Sequence, residues 1–226
     1  MASELGIFWW LLLGLVAVVA VIAIQARLSY LRQQMWRQLA ARYGLVYYPV
    51  DRYDIPNRHQ FHFFGLGHSQ KAYNCLEGNF RNVPVLLFDY QYKTGSGKNE
   101  TTHDVSALLG RLDIYCPYLI IRPEAWSDRF AALFGFSNIE FESGEFNRAF
   151  NVKGNDKKFA YDICHPEMMA FLLKDQTLAW EFRGFDFLLY RWDMERFDAA
   201  KVSSCLNLVA KFVTLVPDYL RREAQS

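Results

Sequence analysis

Residues Tyr73–Tyr92 read YNCLEGNFRNVPVLLFDYQY, two apolar and aromatic runs separated only by Arg81-Asn82. Alternation in the second run sorts Val85, Leu87, Asp89 and Gln91 onto one face and Leu86, Phe88, Tyr90 and Tyr92 onto the other. That period of two belongs to a strand rather than a helix. Two such runs with so short a polar link predict an antiparallel hairpin. TTHDVSALL (Thr101–Leu109) and YLIIRP (Tyr118–Pro123) carry the pattern onward, and LVYYPV (Leu45–Val50) adds a strand before it. The expected fold class is therefore α+β, a single domain with an antiparallel sheet packed by helices.

Helical signals surround this meander. PEAWSDRFAALFG (Pro123–Gly135) opens on proline and closes on glycine, the usual asymmetry of helix ends. A short helix is expected around HQFHFFG, another capped by Asn155 or Asp156, and another from Pro166 through Leu173. A long C-terminal helix begins near Ala199, where Val202, Leu206, Val209 and Val213 form an apolar stripe, and Pro217 ends it. IEF at Ile139–Phe141 is a strand candidate, and LAWEFR and FDFLLYRW flank Gly184 as a hairpin. A pleckstrin-homology-like barrel closed by the last helix is an alternative arrangement of the same element order.

The N-terminus has a different character. From Leu5 to Ile24 every residue is apolar. At about 1.5 Å per residue those twenty residues match the roughly 30 Å hydrocarbon thickness of a bilayer. A cleaved signal peptide is the competing reading, but it would carry Lys or Arg ahead of the run, where only Glu4 stands. Arg27, Arg32, Arg37 and Arg42 follow, with no acid before Asp51. The positive-inside rule places that side in the cytoplasm and the short N-terminus outside, with Trp9 and Trp10 near the outer interface. The resulting division is a membrane helix over 1–26, a basic juxtamembrane helix over 27–44 and a cytoplasmic α+β domain over 45–226. The four arginines are read as a collar at the membrane surface, worth about 1 kcal/mol each beside anionic headgroups.

Composition narrows the function. Net charge is +1, so no basic field exists to hold a nucleic-acid backbone. Apolar residues make up 52% and aromatics 17%, ample for a packed core. Cys75, Cys116, Cys164 and Cys205 lie far apart without a CxxC pair; no cysteine-based zinc site is expected, and buried free thiols suit a reducing compartment.

The sequence fits no familiar catalytic pattern. YKTGSGKNE (Tyr92–Glu100) fails the phosphate-loop pattern at both ends, holding Tyr92 for the first glycine and Asn99 for the hydroxyl. His59 and His62 stand three apart and are weak metal candidates without an assigned third ligand. Glu142, Glu145 and Arg148, with Glu140, form an acidic cluster read as solvated, Glu145 and Arg148 being an i, i+3 ion pair. Ser143, Ser203 and Ser204 lack a nucleophile setting. Asp89 is the more pointed candidate, a carboxylate inside an apolar strand where an unpaired charge would be costly. It is read as lying on a half-solvated face with Arg111 or Arg122 as partner, or beside a ligand.

The blocks around Phe88-Asp89-Tyr90, Arg122-Pro123-Glu124 and Phe141–Phe150, in this order and with LLYR near the end, resemble a widespread family of uncharacterised bacterial membrane-anchored proteins, from about Ala72 to the C-terminus. The resemblance implies one intact domain and supplies no activity. It leads one to expect Ser after Phe146, where this chain has Asn147; the departure counts against a chemical role there.

The expected function is a non-catalytic interaction or scaffolding module at the cytoplasmic face of the inner membrane. Its expected partners are the bilayer and either a membrane protein or further copies of the chain, with no cofactor. A lipid or small-molecule binding domain is the first alternative and a metal-dependent hydrolase the second.

Overall fold

The computed structural model describes residues 2–124 and 138–223. The fold is α+β: a long apolar N-terminal helix, a six-stranded antiparallel sheet with helices around it, and a C-terminal helix. The helix expected over Pro123–Gly135 lies, beyond Glu124, outside the described residues.

Helix α1 (Ala2–Tyr43) runs unbroken for 42 residues. Its apolar stretch is long enough to cross a membrane and is not buried against the protein. Gly44, at φ 68°, stops it, a conformation that disfavours residues with a Cβ. The chain then doubles back as β1 (Val46–Val50). A short helix α2 (Ile55–Arg58) and a 3₁₀ turn at His62–Gly65 lead into β2 (His68–Phe80). β3 (Val83–Thr94) follows through Arg81 and Asn82, both left-handed at φ 49° and 67°. That pair of positive φ values is what a tight two-residue hairpin of the right twist requires. The glycine-rich link after β3 is likewise a hairpin connection, with one 3₁₀ turn at Gly97–Asn99, and it enters a strand rather than a helix.

Two expected boundaries are corrected. TTHDVSALL and YLIIRP belong to one 23-residue strand, β4 (Thr101–Pro123). LAWEFR and FDFLLYRW are likewise one strand, β6 (Leu178–Arg191), and not a hairpin. Both halves of β6 pair with β4 in a single antiparallel sense, from Tyr190 opposite Ala107 to Trp180 opposite Ile121. Gly184, at φ 64°, faces Cys116 where the register shifts, so it bends the ladder instead of reversing it. IEF is also not a strand: Asn138 makes an isolated bridge to Lys153 of β5 (Phe150–Gly154).

The cap expected at Asn155 or Asp156 is present, at Asp156, and two further caps appear. α3 (Gly144–Ala149) is capped by Ser143 and α4 (Lys157–Ile163) by Asp156, whose side chains accept from Phe146 N and Phe159 N. Pro166 opens α5 (Pro166–Leu172). Asp198 caps α6 (Ala199–Leu215), and Pro217 separates it from α7 (Asp218–Glu223).

Strand order is β1-β2-β3-β4-β5, with β6 on β4's other side. Among the described residues β1 pairs only with β2 and β6 only with β4, so the sheet stays open and no barrel forms. Both of its faces are covered. Leu76, Val85, Leu87 and Leu108 pack with Trp36 and Leu39 of α1 and Val202, Leu206 and Val209 of α6. On the reverse, Phe88, Tyr90 and Tyr92 meet Phe61, Phe63 and Phe64. At roughly 1.5–3 kcal/mol for each fully buried large side chain, these layers are the main support of the fold. They also hold the last turns of α1, from Arg32 to Tyr43, against the domain.

Candidate functional site

Asp89 sits where α1 crosses the sheet. Its alternation partners Val85 and Leu87 do face α1, and the carboxylate is completely buried. The half-solvated face expected for it is thus not what the sheet presents, because α1 covers that side. Its partner is neither Arg111 nor Arg122 but Arg32, which donates from Nε to Oδ2 at 3.0 Å and from Nη2 to Oδ1 at 2.6 Å. This two-pronged fit is the strong geometry of guanidinium and carboxylate.

Three neutral donors complete the carboxylate's shell. Trp36 Nε1 and Asn74 Nδ2 reach Oδ2 at 3.0 and 2.9 Å, and Ser106 Oγ reaches Oδ1 at 2.6 Å. Local structure aims each of them. Arg32 and Trp36 are one helical turn apart, and the guanidinium lies 5.2 Å from the indole ring. Asn74 occupies a left-handed position, φ 50°, where the register of β2 against β3 shifts; asparagine tolerates that conformation, and the bulge turns its amide inward. Tyr47 Oη then donates to Asn74 Oδ1 at 2.8 Å. Arg32 Nη1 donates to the Phe197 carbonyl at 2.5 Å, and Phe197 N to Ser106 Oγ at 3.0 Å. The cluster ties α1, β1, β2, β3, β4 and the segment before α6 together. With five donors on two oxygens, the roughly four lone-pair sites of the carboxylate are occupied. Held this way, Asp89 joins α1 to the sheet.

The arginine collar is accordingly not uniform. Arg32 is only 15% exposed and committed to Asp89, which removes it from headgroup duty. Arg27, Arg37 and Arg42 lie over Tyr30, Tyr47 and Tyr43.

Just beyond the clamp, toward the apolar end of α1, a groove of about 910 Å³ separates the helix from the sheet. Gln25, Leu28 and Leu31 form one wall, and Lys71, Gln91 and Arg196 stand on the other. Arg196 Nη2 pairs with Asp104 at 2.8 Å and also meets Tyr73 Oη. Burial, aided by the Asp89 and Asp104 charges and opposed by Arg196, raises the Tyr73 phenol well above its ordinary value.

A second buried carboxylate, Glu181, went unnoticed in the sequence. It accepts from the backbone N–H of His62 at 2.7 Å and of Phe63 at 3.2 Å, and from Tyr190 Oη at 2.7 Å. Desolvation pushes its pKa up to about 7 against these hydrogen bonds and the nearby Arg122 charge. His62 is depressed to about 4 by burial and then by Arg122. Glu181 therefore pins the 3₁₀ turn that carries Phe63 and Phe64 onto the sheet.

The other candidates are dispersed. His59 lies 3.4 Å from Asp186, apart from the Glu181 contacts of His62. Among the described residues no group of three His, Cys, Asp or Glu side chains is placed to hold a metal. Glu142, Glu145 and Arg148 are exposed, and among the described residues Glu145 and Arg148 form no ion pair. Asn147 brackets Phe141 through both its N–H and C=O, at 3.0 and 2.7 Å, a structural duty. The four cysteines are free and buried.

No family model matches the chain, and no curated protein matches it. A solved structure, the crystal structure of the mycobacterial trehalose monomycolate transport factor A, TtfA, shares the fold at a TM-score of 0.53 and 11% identity, with 82% of this chain and 96% of that one covered.

Proposed function

We propose that this chain is a single-pass protein of the bacterial inner membrane, with its N-terminus outside and its α+β domain in the cytoplasm, acting as a non-catalytic interaction or scaffolding module. The observation that carries the reading is α1 itself. One unbroken helix supplies both the apolar stretch and, through Arg32, Trp36, Leu39 and Ala40, part of the domain's core. Such a domain does not swing on a linker; its orientation to the bilayer is set by the clamp, as a surface meant to meet another membrane component needs. The arginines after the apolar run support the orientation, and four free, separated thiols suit a reducing compartment. That the fold is shared with a protein named as a transport factor is in keeping with a membrane-side role. The resemblance to bacterial membrane-anchored proteins points the same way.

The test is mild cross-linking in native membranes followed by gentle extraction of the full-length protein. The reading expects a stoichiometric polypeptide, or a second copy of the chain, whose capture is lost when a flexible Gly-Ser insertion after Ala26 uncouples domain from membrane helix. Protein recovered with lipid alone, or capture indifferent to the insertion, contradicts it.

A further inference from the structure

The groove beside the clamp lies at a telling height. Gln25 directly follows the apolar run, and Arg32 stands eight positions after Ile24, so the groove wall covers about the first 12 Å below the hydrocarbon edge. A bilayer is about 30 Å thick in its hydrocarbon and 40–45 Å with its headgroups, so the headgroup layer covers about the first 5–7 Å of that wall, alongside Gln25 and Leu28. The sheet side rises toward the same level. β1 turns back from the end of α1, β2 begins at His68 opposite Lys93, and Lys71 and Gln91 line the groove together with Gln25 and Leu28.

Its lining is that of a lipid site rather than a solvent channel. Leu28 and Leu31, below the apolar run, remain 61% and 48% exposed and continue the helix's greasy surface into the groove. Opposite them, Lys71 is exposed and makes no ion pair among the described residues. Arg196 keeps a buried Nε without a hydrogen-bond partner among them. Arg32 cancels Asp89 and Arg196 cancels Asp104, which leaves the Lys71 charge to give the groove a positive sign. About 910 Å³ lies within the range of small-molecule sites, about 300–1,000 Å³.

We propose that this groove binds one anionic phospholipid of the bilayer in which α1 sits, its phosphodiester held by Lys71, its glycerol backbone against Leu28 and its acyl chains rising beside the apolar run of α1. The proposal rests on α1 spanning the membrane, but not on any protein partner. A bound lipid would fill the space between helix and sheet and so brace the clamp.

The test places the full-length chain in nanodiscs containing a photoactivatable phosphatidylglycerol, with a phosphatidylcholine analogue in parallel, and maps labelled peptides by mass spectrometry. The expected result is phosphatidylglycerol label on peptides from 25–35 and 71–74, several-fold above phosphatidylcholine. Lys71→Glu should lower it by about tenfold. Leu28→Gln with Leu31→Gln should also lower it, and neither variant should change the thermal unfolding midpoint, because none of these side chains lies in the core. Excess soluble glycerol phosphate should leave the label in place. Label confined to the apolar run, equal label from both lipids, label untouched by the variants, or label displaced by glycerol phosphate would each overturn the proposal, the last by showing a soluble phosphate-ester site instead.

Discussion

Replacing Arg32 by Met tests whether the helix is truly clamped. The substitution keeps length and apolar contact but leaves Asp89, fully buried, with only Trp36, Asn74 and Ser106 as donors. Breaking a buried pair from one side costs about 3–5 kcal/mol, because a charge is stranded away from water. For a chain of this size that corresponds to a fall of about 6–20 °C in unfolding midpoint. Asp89→Asn strands the guanidinium instead and should also destabilise. In the double variant no charge remains, and the new amide still accepts from Trp36 and Asn74 while donating to Ser106. Its loss should therefore be smaller than the sum of the singles by about 2 kcal/mol or more. Thermal unfolding of full-length protein in mild detergent, followed through the buried tryptophans, gives all four corners of the cycle. Additive losses, agreeing within about 0.5 kcal/mol, would refute the pairing as the element that fixes α1.

Other expectations concern the rest of the core. Glu181 has a folded pKa raised from 4.5 to about 7, so its contribution is present below pH 4.5 and is lost as pH rises toward 7; His62, lowered from 6.5 to about 4, contributes above 6.5 and loses that stability as pH falls toward 4. The two oppose each other, so the wild-type midpoint should change little across that window, while Glu181→Gln makes it fall on acidification and His62→Phe makes it rise; parallel pH profiles for both variants would contradict this. Gly110→Ala drives a methyl into the Phe187 ring, packed with Trp180 and Phe212, and overpacking of this kind should cost about 1–3 kcal/mol in chemical denaturation. None of the four buried thiols should react with maleimide until the protein unfolds, burial having raised Cys75, Cys116 and Cys205 to about 12; labelling of the native protein counted by mass would expose an error in the packing.

The meander was legible because strands half-buried by different layers alternate cleanly, and because Arg81-Asn82 leaves no room for anything but a tight turn. The caps at Ser143, Asp156 and Asp198 follow the ordinary rule for helix starts, and the second was visible as a polar residue before an apolar run. The unity of β4 and of β6 was harder to see, since the apolar pattern lapses between Leu109 and Tyr118 and Gly184 reads as punctuation; a bulge shared by two paired strands leaves the same local mark as a turn, and only the partner's register tells them apart. The clamp was hidden for a related reason. Arg32 stands among arginines that fit a membrane collar, so its distinct role lies in the neighbours it shares a face with: Trp36, Leu39, Ala40 and Tyr43 recur at helical spacing and mark that side of α1 as core. Asp89 was noticed because a carboxylate in an apolar strand demands a partner, yet periodicity cannot say that the partner lies 57 residues away in a helix. Glu181, in the equally apolar LAWEFR, gave the same signal.

The central claim is that the domain is held rigidly to its membrane helix. Spin labels at Gln25→Cys on α1 and Lys98→Cys on the β3–β4 hairpin, in full-length protein reconstituted into a bilayer, report that geometry directly through their dipolar distance distribution. A single narrow distribution that broadens in Arg32→Met is the predicted result. A broad distribution already present in the wild-type protein, unchanged by the substitution, would contradict it.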